Sequence, residues 1–163
     1  MTQNERQNLV TSLNQLLADI AVFKQKVQAY HWTVRGLLFT ELHEFFQEIY
    51  EEVEEAFDEI GEQVRVLDSD PNLQLNQYVR DSVIDEANSD VTPSAVEMIQ
   101  TLHDDNERII AVLKELERIA NEAGAEAVLD FAVERHRQHD IYRYKLRSHI
   151  ETNNDQPTTT TTQ

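Results

Sequence analysis

His31, His43, Asp58 and Glu62 are side chains of the kind that bind iron through nitrogen and oxygen. Their spacing limits how they can meet. Residues 40 to 67 read as one continuous helix, which puts His43 about 22 Å from Asp58 at a rise of 1.5 Å per residue. One subunit cannot bring both onto one ion. Two antiparallel copies of the helix, crossing midway between residues 43 and 62, set His43 of one copy beside Asp58 and Glu62 of the other. The spacing therefore predicts a metal site shared between subunits and made twice in each dimer by the two-fold symmetry.

The elements that must position these residues follow from periodicity. Only three glycines and three prolines punctuate the 163 residues, which favours long helices. Apolar positions recur at helical spacing over residues 5 to 35, through Leu9, Leu13, Leu16, Leu17, Ile20, Phe23, Val27 and Tyr30. Thr2 and Glu5 are placed to form a capping box, and Gly36 ends this helix. The second helix is expected from Thr40 as N-cap, with Leu42, Phe46, Ile49, Val53, Phe57, Ile60 and Val64 on its apolar stripe. Residues 73 to 86 read as a short helix within a longer crossover. Thr92 and Pro93 are expected to start the next long helix, with Ser94 and Glu97 as the competing cap, and it runs to about Asn121. Gly124 separates it from a last helix over Ala125 to Ile150.

These elements give an all-α fold: a four-helix bundle of ferritin-like connectivity over residues 1 to 150, with a short extra helix in the crossover between the second and third long helices. Residues 151 to 163 are polar, end in a threonine run, and are expected to form a disordered tail.

Composition narrows the function. The absence of cysteine excludes disulfides, iron–sulfur clusters and thiolate zinc sites. The best apolar stretch, Leu16 to Phe23, is broken by Asp19 and followed by Lys24, so no signal peptide or membrane span is expected, and a cytoplasmic location follows. Four lysines and ten arginines face 31 acids, for a formal charge of −17. Such a surface attracts cations and repels polyanions, so direct DNA binding is not expected.

The segments His31-Trp32-Thr33-Val34-Arg35-Gly36 and Glu41-Leu42-His43-Glu44-Phe45-Phe46, followed by Asp58-Glu59-Ile60 with Glu62, resemble the Dps family of miniature ferritins. The likeness extends over residues 5 to 150. It implies a hollow homo-oligomeric shell, a dodecamer, with ferroxidase activity: ferrous iron is oxidised, preferably by hydrogen peroxide, and ferric mineral is stored inside, which protects DNA from oxidation. It also implies that His31 and His43 come from one subunit while Asp58 and Glu62 come from its two-fold mate. One departure is Gln47, where family members often carry an acid; a neutral amide is a poorer iron ligand. The resemblance gives Trp32, beside His31, a part in absorbing oxidising equivalents. Tyr142, where relatives often carry tryptophan, would share it. Glu44, Glu48, Glu51 and Glu55 recur at three- and four-residue steps and form one stripe, suited to binding ferric ions on an inward face. Glu126 and Asp130, four apart and joined by Glu122, would line acidic pores through which iron enters.

Other readings carry less weight. Ordinary ferritins place Glu-x-x-His pairs inside one subunit, and this chain has none: Glu41-Leu42-His43 and Glu134-Arg135-His136 have the wrong spacing. His136 and His139, at i and i+3, are expected to be structural, and His103 and His149 carry no supporting pattern. The alternative function is that of a nucleoid DNA-compacting protein. Relatives that bind DNA commonly do so through lysine-rich tails, whereas here the first seven residues hold only Arg6 and the last thirteen hold no base. A plain helical interaction module would leave the ligand spacing as coincidence.

Overall fold

The computed structural model describes residues 1–154. Five helices and no strand occur among them: α1 (Gln3–Thr33), α2 (Phe39–Val66), α3 (Leu75–Asp81), α4 (Ala95–Glu122) and α5 (Glu126–Asn154). α1 packs on α2 and α4 on α5 as two antiparallel hairpins, and α1 against α4 joins them. The link from α2 to α4 runs the length of the bundle and carries α3, which packs on α1. The chain is thus a helical bundle of ferritin-like connectivity. Residues 151–154 continue α5 beyond the helix end expected from sequence; the rest of the expected tail lies outside the described residues. No helix among the described residues is long and apolar enough to cross a membrane.

The apolar stripes meet as periodicity requires. Leu13, Leu16, Ile20 and Phe23 of α1, Leu42, Phe46, Ile49 and Ile60 of α2, and Met98, Leu102 and Leu113 of α4 are fully buried. Each such side chain stabilises the fold by about 1.5–3 kcal/mol through removal of apolar surface from water. Phe57 is the exception on its stripe. It is only partly buried and stands edge-on to Tyr78 of α3, ring centroids 5.7 Å apart.

Local chemistry sets the helix ends. Thr2 and Glu5 form the expected capping box. Thr40 does not cap α2. Gly36, at φ +106°, turns the chain, Phe39 N–H donates to the Gly36 carbonyl at 3.1 Å, and the helix is already under way from Leu38. Nor does Thr92 cap α4. Ser94 accepts from Glu97 N–H at 3.3 Å while Glu97 accepts from Ser94 N–H at 2.7 Å, so this box satisfies two orphan donors where Thr92 would satisfy one. α4 ends in a Schellman turn: Ala125 N–H reaches the Ala120 carbonyl at 2.9 Å and Gly124 N–H the Asn121 carbonyl at 3.2 Å. Gly124 sits at φ +62°, where a side chain would be strained.

Buried polar groups fix the remaining register. The fully buried Asp19 accepts from Val83 N–H at 2.7 Å and the Ser82 hydroxyl at 3.0 Å, and Gln15 donates to the Asp81 carbonyl at 2.7 Å, which pins the crossover to α1. Burial pushes the Asp19 carboxyl up, and these hydrogen bonds oppose it. Lys26 and Asp105, both buried, pair at 2.6 Å between α1 and α4.

Candidate metal centre

The last turn of α1 and the first turns of α2 meet across the Gly36 turn, which brings His31 and His43 face to face. Their rings stack with centroids 3.8 Å apart and planes 21° from parallel. His31 Nδ1 donates to the His43 carbonyl at 2.7 Å, and His43 Nδ1 donates to the His31 carbonyl at 2.8 Å. A carbonyl only accepts, so each Nδ1 must carry the proton. In the neutral imidazole this leaves both Nε2 atoms with lone pairs, the tautomer a metal ligand needs. Phe39 stacks on the other face of His43 at 5.0 Å, and Tyr50 stands edge-on to His31 at 5.2 Å. Sequence reasoning missed both aromatics. The available signal was helical spacing, since Phe39 lies one turn before His43 and Tyr50 two turns after it.

Asp58 and Glu62 lie exposed on one face of α2, one turn apart and far along the helix from His43. Within the chain, no three His, Asp or Glu side chains among the described residues come together to hold a metal. Gln47 lies one turn after His43, and its Nε2 donates to Glu51 Oε1 at 2.6 Å.

The acidic stripe is partly engaged. Glu44 is exposed, Glu48 pairs with Lys145 at 3.4 Å, and Glu51 accepts from Gln47. Glu52, off the stripe, anchors a buried cluster: Arg135 grips it at 2.6 and 2.8 Å, and the Tyr142 hydroxyl donates to it. Burial and the Glu52 carboxylate push the Tyr142 hydroxyl up. Trp32 is 64% exposed despite adjoining the buried His31. Glu126 and Asp130 are exposed on the first turns of α5, and Glu122 pairs with Arg118 at 2.6 Å.

The other histidines go separate ways. His139 is fully buried, with its Nδ1 on Asn106 Oδ1 at 2.7 Å, and burial holds its imidazole well below the usual range. His136 Nδ1 meets Glu117 at 2.7 Å, and His149 Nε2 meets Glu41 at 3.0 Å.

Comparison with known proteins places this geometry in a lineage. The family model for the ferritin-like domain matches residues 10–154. A low temperature-induced protein of Nostoc, itself uncharacterized, is 34% identical over 99% of this chain and 93% of its own length. The crystal structure of a Dps protein from Bacillus brevis matches with a TM-score of 0.87 and 27% identity, covering 92% of this chain and 99% of that one. A Dps protein from Vibrio cholerae, described as a member of a broad superfamily of ferritin-like diiron-carboxylate proteins, matches with a TM-score of 0.86 and 26% identity over 91% and 92% of the two chains. The chain belongs to the ferritin-like family and, within it, to the Dps proteins.

Proposed function

We propose that this protein is a homo-oligomeric ferroxidase and iron store that protects DNA, with its reaction sites shared between two-fold related subunits. The observation that carries the reading is the reciprocal histidine pair, which frees two Nε2 donors on one subunit while the carboxylates able to complete the set lie at the far end of α2. Two imidazole nitrogens and two carboxylates suit ferrous iron. His31 and His43 bind the substrate ion through Nε2, and Asp58 and Glu62 of the partner subunit supply oxygen and negative charge. Two ferrous ions each give one electron to a hydrogen peroxide molecule. The O–O bond breaks, both oxygens leave as water or hydroxide, and no hydroxyl radical is released. Glu44 and Glu48, with Glu51 and Glu55, then bind ferric ions on the inner wall, and Glu126 and Asp130 draw ferrous ions inward. Exposed carboxylates favour a dication over any anion.

Light scattering is expected to give the mass of a dodecamer of the 19.0 kDa chain, and the same particles, fed ferrous iron and peroxide, should retain iron through gel filtration. A monomer that retains none would sink the proposal.

Direct DNA binding is not part of this reading. The arginines of α5 that would form a basic patch are largely neutralised: Arg135 by Glu52, Arg137 by Glu134, and Arg143 by Glu107 and Asp140. DNA should therefore migrate unretarded at neutral pH and near-physiological salt with chelator present. A shift that persists in chelator and weakens as salt rises would reveal a cationic contact with phosphate and favour the DNA-compacting alternative.

A further inference from the structure

Two buried polar atoms of α5, Arg135 Nε and His139 Nε2, find no hydrogen-bond partner among the described residues. Arg135 is 5% exposed and His139 is fully buried, so bulk solvent serves neither. Buried polar groups left this way are rare. The bonds around them fix what each atom needs. Asn106 Nδ2 donates to the His139 carbonyl at 2.9 Å, which turns Asn106 Oδ1 toward the imidazole, 2.7 Å from Nδ1. An amide oxygen only accepts, so Nδ1 carries the proton. Burial, and then the Arg135 guanidinium, hold this imidazole well below its usual range; it is neutral, and Nε2 is a bare lone pair. Arg135 turns its two terminal nitrogens to Glu52, at 2.6 and 2.8 Å, and its Nε–H lies outside that fork as a donor. The Tyr142 hydroxyl cannot serve His139, because it already donates to Glu52.

The two atoms complement each other, since one lacks an acceptor and the other a donor. They belong to residues one turn apart on α5, whose Cβ atoms stand about 5–6 Å from each other. One oxygen making two hydrogen bonds of about 2.9 Å spans such a gap. The guanidinium repels a cation, and an anion without a proton has nothing to offer Nε2, so the occupant is neutral and both donates and accepts. We infer that Arg135 Nε and His139 Nε2 hold one buried water molecule between them, which accepts from the guanidinium and donates to the imidazole. This water completes a hydrogen-bonded chain from Asn106 of α4 through His139 and Arg135 of α5 to Glu52 of α2. α2 and α5 share little direct packing, and Glu52 lies nine residues after His43 and ten before Glu62. The chain therefore holds α2 at its middle against the rest of the bundle. The site is independent of the shared-site reading.

A high-resolution crystal structure of the full-length protein tests this. It should show one rounded density peak within hydrogen-bond distance of both nitrogens in every subunit. His139→Phe keeps a ring of similar shape and removes the lone pair, so the peak should be lost from its crystals. Solid-state NMR of crystals of the unaltered protein, labelled with 15N at histidine, gives a second readout that stands even where His139→Phe fails to fold. His139 should appear as the neutral Nδ1–H tautomer, with Nε2 in contact with water protons. The inference is overturned by clear density in which the two nitrogens stay unpartnered, by a protein group found on either of them, by anomalous scattering that marks an ion, or by a peak that persists in His139→Phe. A His139 Nε2 signal without water contact overturns it as well.

Discussion

Shells assembled from two inactive variants are expected to regain iron oxidation. One parent carries His31→Ala with His43→Ala, the other Asp58→Ala with Glu62→Ala. Losing an outer-shell partner of a metal site commonly costs 10–100-fold, so removing two direct ligands should slow peroxide-dependent oxidation by more than about a hundredfold in each parent. In a mixed dimer one site inherits both defects. The other joins the intact histidines of one chain to the intact carboxylates of its mate. Random pairing of equal amounts makes half the dimers mixed, so roughly a quarter of the sites should recover. Stopped-flow absorbance of ferric iron gives the rate, and native mass spectrometry verifies the mixing. Verified mixed shells without recovery would rule out a site divided between subunits. The exposure of Asp58 and Glu62 fits the same picture, because carboxylates meant for a partner's ion have no role inside their own chain.

Lys26→Met should destabilise the fold by about 3–5 kcal/mol, because it strands a buried charge. Lys26 and Asp105 have side chains only 4% and 3% exposed, and their 2.6 Å contact joins the two hairpins. Burial pushes the Asp105 carboxyl up, and the Lys26 ammonium pulls it back. Without Lys26, the cation left beside Asp105 among the described residues is Arg108, at 3.4 Å and from a side chain 53% exposed. Replacing both partners, Lys26→Met with Asp105→Leu, should restore most of the loss, since a packed apolar pair avoids both desolvation costs. Urea unfolding at fixed protein concentration reads both effects. A single variant as stable as the parent would show that water reaches Asp105.

Much of this was legible beforehand because it is local. The stripes of α1, α2 and α4, the Thr2 capping box and the i, i+4 placement of Asp58 and Glu62 depend on residues within a turn or two of each other. What was not legible depends on long-range partners. Asp19 looked only like an interruption in an apolar run, yet it meets the backbone 64 residues away. Glu52 is one of many acids on α2 and nothing in its local sequence sets it apart, yet Arg135 and Tyr142 of α5 close over it. The second-helix start was misplaced because a glycine turn substituted for a side-chain cap. The histidine types were visible, but not that each would hold the other's backbone, since that depends on how the Gly36 turn closes.

That mutual grip has a consequence for timing. Folding of a lone chain already fixes both imidazoles, each against the other's carbonyl and between Phe39 and Tyr50. The rotamer entropy of the nitrogen donors is thus lost during folding, before any subunit meets another. A newly made chain presents a finished half-socket that lacks its acidic complement, so in the shared-site reading oxidation waits on the pairing of two subunits and needs no further adjustment of the histidines.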